Sequence, residues 1–109
     1  MRTVDVFFND IKAGVLCETE PGGACIFTYE DAYLNADYPS VSPLLRKNIK
    51  SHTSPFLFPF FCNLLPEGGN KKVICRHYKI DENDIFGLLY AMADAEFVGA
   101  INIRNARNE

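Results

Sequence analysis

The sequence holds no run approaching the ~18 apolar residues of a membrane span, and Met1-Arg2-Thr3-Val4-Asp5 lacks the long apolar region of a secretory leader. The expectation is a cytoplasmic protein with no membrane partner. There is no C-x-x-C pair either. Cys17, Cys25, Cys62 and Cys75 are widely and unevenly spaced, which speaks against a zinc site and against a thioredoxin-like motif. Four reduced, mostly buried thiols are expected. Cys17 and Cys25 flank a turn and so come near each other, but a disulfide there needs an oxidising compartment that nothing else implies. Nor is there an excess of positive charge. Eleven Lys and Arg stand against fourteen Asp and Glu, a formal net charge of -3, whereas a nucleic-acid surface carries a basic stripe. Direct nucleic-acid binding is not expected.

Catalytic groups are equally sparse. His52 and His77, the only histidines, lie in dissimilar segments, and no serine or cysteine stands in a nucleophile motif near either. A kinase needs a phosphate-covering glycine loop, a nucleotide lysine, a catalytic aspartate and metal-binding side chains, and these do not appear in order. Gly22-Gly23 and Gly68-Gly69 are too short to cradle phosphate. Asp81, Glu82 and Asp84 cluster where a helix cap accounts for them, and they lack the spacing of a calcium loop. No enzyme activity, cofactor or metal is expected.

What is present points to one folded domain. At 109 residues, 48% hydrophobic and 23% charged, the chain is large enough for a single core and has ordinary globular composition. Residues 1–104 are expected to form that domain, with 105–109 a frayed tail. Thr3 to Phe8 is rich in β-branched and aromatic residues, Asn9-Asp10 supplies a turn, and strands over Lys12 to Thr19 and Ala24 to Tyr29 complete an antiparallel meander. Val4, Val6 and Phe8 fall on one face, opposite Asp5 and Phe7. Pro39, Pro43, Pro55 and Pro59 then forbid a long helix. Glu30 to Leu34 fits one helical turn, while Val41 to Leu45 and Ser54 to Phe58 read as short extended edges. Arg46, Lys47, Lys50 and His52 punctuate this connection as a solvated loop. Helices are expected over Phe60 to Leu65, Asn70 to Tyr78 and Asn83 to Ala93, the last with Ile85, Leu88, Leu89 and Met92 on one face. Gly99 to Ile103 reads as a final strand. The fold class is therefore α+β: an antiparallel sheet, made of the N-terminal meander plus a C-terminal strand, covered by short C-terminal helices.

The most informative stretch is Phe60-Phe61-Cys62-Asn63-Leu64-Leu65-Pro66-Glu67-Gly68-Gly69, where a packed aromatic run ends in a proline, a carboxylate and two glycines. Proline closes the helical turn, and Gly68 and Gly69 allow backbone angles that a side chain forbids. Glu67 accepts hydrogen bonds, and Asn70, Lys71 and Lys72 donate them beside an apolar anchor. Aromatic anchors ringed by polar groups supply most of the binding energy at protein interfaces, and Phe56, Phe58, Phe60 and Phe61 lie just upstream. The partner-binding candidates are Phe58, Phe61, Leu65, Pro66, Glu67, Gly68, Gly69, Asn70, Lys71 and Lys72. A rigid turn that positions the next helix explains Pro66-Glu67-Gly68 equally well, and the two readings are compatible.

Several separated segments together resemble one family. Ala13-Gly14-Val15-Leu16, Phe27-Thr28-Tyr29 with Tyr33-Leu34, Leu64-Leu65-Pro66-Glu67-Gly68, Asp84-Ile85-Phe86-Gly87-Leu88-Leu89 and Gly99-Ala100-Ile101-Asn102-Ile103 occur in the order found in the N-terminal subdomain of HipA-type bacterial toxin kinases. The resemblance runs from about Val4 to Ile103. It departs at Met92-Ala93-Asp94-Ala95-Glu96-Phe97, where the family is richer in glycine, and in the absence of tryptophan. The resemblance implies a HipS-like antitoxin of a three-component HipBST-type toxin–antitoxin module. In such a module this subdomain is a small protein of its own beside a shortened HipA-like serine/threonine kinase and a helix-turn-helix DNA-binding protein. The implied role is to associate with that kinase and neutralise it, the Leu65 to Lys72 loop docking beside the active cleft. The alternative is a regulatory or structural lobe that completes and activates a split kinase.

Overall fold

Cross-strand pairing turns the β-branched and aromatic alternation of the first thirty residues into three antiparallel strands: β1 (Arg2–Phe8), β2 (Ile11–Glu18) and β3 (Cys25–Tyr29). The structure is a computed structural model that describes residues 2–20, 22–65, 68–93 and 101–105. Asn9 and Asp10 join β1 to β2 with positive φ of 48° and 68°, the left-handed pair that matches strand twist in a two-residue hairpin. The register places Val4 opposite Leu16 and Leu16 opposite Phe27. All three are fully buried on the covered face of the sheet. The register slips between Val6 and Phe7, leaving Ala13 as the extra residue of a bulge. Its carbonyl accepts the Glu30 amide at 2.8 Å, fixing the exit of β3.

Gly14, next to the bulge, is where backbone and ring approach most closely. A Cβ there would stand 2.4 Å from the Thr28 carbonyl oxygen and 2.9 Å from the Phe27 ring, so no larger residue fits without moving the sheet.

The sheet has five strands in the order β4-β3-β2-β1-β5, every neighbouring pair antiparallel. β5 (Ile101–Asn105) lies beside β1, where Ile103 faces Val6. It ends two residues later than expected, and Gly99 and Ala100, the expected start, lie outside the described residues. The edge strand β4 (Ser51–Ser54) corrects the sequence reading. Neither Val41 to Leu45 nor Ser54 to Phe58 is a strand, and His52 belongs to β4 opposite Phe27 rather than to a loop. Polar side chains let a short edge strand pair on one side and face water on the other.

The connection between β3 and β4 is ordered by two tyrosines. α1 (Asp31–Asn35) is the expected single turn and buries Tyr33. Tyr33 donates to the Pro39 carbonyl at 2.8 Å, while Tyr29 donates to the Leu45 carbonyl and accepts the Val41 amide at 3.0 Å. Burial raises the Tyr33 phenol to about 12 and raises that of Tyr29. Both therefore stay neutral donors across the physiological range.

α2 (Pro59–Cys62), α3 (Gly68–Tyr78) and α4 (Ile85–Ala91) follow. α2 is shorter than the expected Phe60 to Leu65 because turns replace helix from Asn63 onward, and α3 begins two residues before Asn70. α4 sends Phe86, Leu88 and Leu89 into the core, with Ile85 and Met92 half-buried against it. No helix among the described residues is long and apolar enough to cross a membrane.

Candidate functional site

Two features involve α3 and α4: a charged clasp with a groove beside it at the start of α4, and the first turns of α3 from Gly68 to Lys72. The clasp joins three distant parts of the chain. The Arg2 guanidinium donates to Glu18 Oε1 from Nε at 2.9 Å, and to Asp84 from both terminal nitrogens at 3.0 and 2.8 Å. Such forked pairing is the strong form of the ion pair. Glu18 is only 4% exposed and also accepts the Gly22 amide at 3.2 Å, so the strand row and the β2–β3 turn are tied together. Asp84 does a second job as the N-cap of α4, accepting the Gly87 amide at 3.1 Å. Hydrogen bonding from Arg2 holds the Asp84 carboxyl below the usual aspartate range, against the opposing effect of partial burial.

Gly87 makes that geometry possible. A Cβ on it would lie 2.2 Å from Asp84 Oδ2 and 2.7 Å from an Arg2 nitrogen. The sequence reading found Asp84 as a cap but missed Arg2 and Glu18, whose pairing spans |i−j| of 82 and 16. The only local signal was a charge at the end of an otherwise buried strand face.

A groove of about 480 Å³ opens beside the clasp, its apolar side formed by Cys25, Leu57, Ile85 and Phe86, with Glu18, Asp81 and Asp84 also lining it. Phe56 lines it while remaining 74% exposed. Burial pushes the Cys25 thiol up to about 11 and also raises that of Cys62, so neither is a thiolate nucleophile near neutral pH. All four cysteines are free. Cys25 sits opposite Glu18 and Cys17 opposite Ile26, which places Cys17 and Cys25 on opposite faces of the sheet. The groove suits the burial of an apolar group, with no reactive cysteine in its wall.

The expected partner-binding residues divide. Phe61 is 0% exposed and Phe58 and Leu65 are each 8% exposed. These three are buried in the core of the chain. An aromatic run beside a proline reads the same in sequence whether its rings face in or out. Phe56 is the ring that remains outside. Pro66 and Glu67 lie outside the described residues. Gly68 has φ of +61°, the left-handed region that favours glycine, while Gly69 has neither positive φ nor a close neighbour. Asn70 and Lys72 are exposed and Lys71 is half-buried, all three on the first turns of α3. The structure thus brings Gly68 to Lys72 together on the exposed first turns of α3. Among the described residues no three His, Cys, Asp or Glu side chains converge as a metal cage.

The comparisons with known proteins agree on what this architecture is similar to. A family model described as the HipA N-terminal domain matches residues 4–104. A protein of Haemophilus influenzae that carries only the name uncharacterized protein is 35% identical over 107 residues, covering 98% of this chain and 95% of that protein. The solved structure described as the N-terminal domain of HipA toxin superposes with a TM-score of 0.73 at 25% identity, over 100% of this chain and 96% of the other.

Proposed function

The chain belongs to the HipA N-terminal domain family, and from that premise we propose that it works by binding a separately encoded HipA-like serine/threonine kinase in the cytoplasm and neutralising it as an antitoxin. The observation that carries this reading is one of extent. The family match and the superposed toxin domain cover essentially the whole chain, and the Haemophilus relative is of nearly the same length. A domain that belongs to a toxin kinase in one protein and recurs at this size in another is suited to act on a kinase body in trans. The described residues contribute packing and surface, and the groove has no activated nucleophile.

The exposed Phe56 and the groove beside it supply an apolar anchor, and the helical end from Gly68 to Lys72 supplies polar groups, the two components of a protein interface. Docking there occludes or misaligns the cleft of the kinase and slows phosphoryl transfer. The helix-turn-helix protein of such a module belongs to the same proposed complex.

Co-expression of the chain with the kinase encoded beside it, followed by size-exclusion chromatography with light scattering, tests the association. A stable stoichiometric complex is expected, and elution of the two proteins as separate species contradicts the proposal. A complex in which the kinase gains activity assigns the chain instead to the completion of a split kinase.

A further inference from the structure

Charge is segregated along the sequence at α3, and in space Lys72 and Arg76 line one concavity with Asp81 and Glu82. Residues 68–80 carry Lys71, Lys72, Arg76 and Lys79 and no carboxylate, leaving seven cations against fourteen carboxylates in the rest of the chain. Among the described residues none of these four cations forms an ion pair, although the ion pairs elsewhere engage Arg2, Lys12, Lys50 and Arg104. Lys72 and Arg76 stand one turn apart on the same face, an arrangement of like charges that weakens an isolated helix. The helix dipole accounts for cations only in the last turn. Arg76 and His77 are placed there, but Lys71 falls within the opening turn, which holds no acid.

The helix is also thinly anchored. Cys75 is its one buried residue, while Val73 is 63% and Tyr78 42% exposed. With Ile74 half-buried against the core beside Cys75, the helix keeps Val73 and Tyr78 exposed next to its cations, apolar surface that gains from being covered.

We propose that the exposed basic face of α3, centred on Lys72 and Arg76, is an electrostatic docking surface for an acidic patch on a protein partner. Resting on the kinase-binding reading, that partner is the kinase. Charge complementarity selects an anionic surface. Protein is favoured over nucleic acid because Asp81 and Glu82, beside Lys72 and Arg76, confine the cationic face to a small patch, which suits a local acidic cluster and not the continuous charge of a phosphate backbone. Val73 and Tyr78 add the apolar and aromatic contact that protein interfaces use.

The test is calorimetric titration of the kinase with the wild-type chain, with K72E/R76E and with K72Q/R76Q at 100 and 500 mM sodium chloride, circular dichroism confirming an unchanged fold. Charge reversal is expected to weaken binding roughly tenfold or more at the lower salt, neutralisation by less, and the three to converge within about threefold at the higher salt. A wild-type complex that the reversed variant matches in affinity at both salts overturns this inference alone. Failure of the wild-type chain to bind removes the kinase reading and the inference with it. Retention of a 20-base-pair duplex by the wild type but not by the reversed variant assigns the face to nucleic acid and contradicts the proposal.

Discussion

At the scale of single residues, the arrangement of Arg2, Glu18, Asp84 and Gly87 shows how one missing side chain decides a local structure. Glycine inside a helix ordinarily costs about 1 kcal/mol relative to alanine, so Gly87→Ala reads as stabilising on propensity alone. The space around Gly87 is filled by the Asp84 carboxylate and the Arg2 guanidinium, and each is held by the other. Gly87→Ala is therefore expected to destabilise the chain by about 2 kcal/mol through overpacking and loss of the cap, read from urea unfolding midpoints. A stabilised variant refutes the clasp. The pH dependence follows from the same group. The folded-state pKa of Asp84 is depressed, so its contribution is fully present above the ordinary 3.8 and is lost as pH falls below that value through the folded pKa. Unfolding midpoints of the wild type are expected to drop more steeply below pH 3.8 than those of Asp84→Asn, which lacks the ionisation. Asp84 was legible in the sequence because a cap is a local signal. Arg2 and Glu18 were not, because their meeting depends on the strand register and on the docking of α4.

At the scale of elements, the meander, the final strand and the core face of α4 were readable from period and turn chemistry, since each is specified by neighbours in sequence. β4 was not. Ser51-His52-Thr53-Ser54 has no hydrophobic alternation and becomes a strand only because β3 offers it a free edge. The irregular run before it is held by side-chain hydrogen bonds to the backbone, chiefly from Tyr29, rather than by regular structure. Tyr29→Phe keeps the ring in the core but leaves the buried Val41 amide without its acceptor. A loss of about 1–3 kcal/mol is expected, together with faster amide hydrogen exchange between residues 41 and 45. Exchange rates identical to wild type refute the pinning role. The stop of α3 makes a second case. Lys79 occupies the left-handed position with φ of 58°, where its amide bonds to the Arg76 carbonyl and that of Ile80 to the Cys75 carbonyl, the pattern of a Schellman cap. Lys79→Gly is expected to raise stability by about 0.5–1 kcal/mol in thermal unfolding; a lower melting temperature contradicts the assignment.

At the scale of the whole molecule, a net charge of -3 conceals a basic helix on an acidic body, and the aromatic run upstream of Pro66 conceals a division of labour. Phe58 and Phe61 are buried in the core while Phe56 faces solvent. Composition could not reveal either, because both depend on which side of an element faces outward. The family assignment was legible in the order of the motifs, and two of those motifs now have physical reasons in the packing at Gly14 and Gly87. Under the proposed partner contact, the groove, Phe56 and α3 share one role as surfaces that gain from being covered. In the proposed antitoxin role, the chain restrains a HipA-like kinase. The initial rate of that kinase's autophosphorylation, measured while the purified chain is titrated in, tests it most directly. The rate is expected to fall in a saturable manner as the complex fills. A rate that rises with added chain, or that stays constant while the complex demonstrably forms, contradicts it.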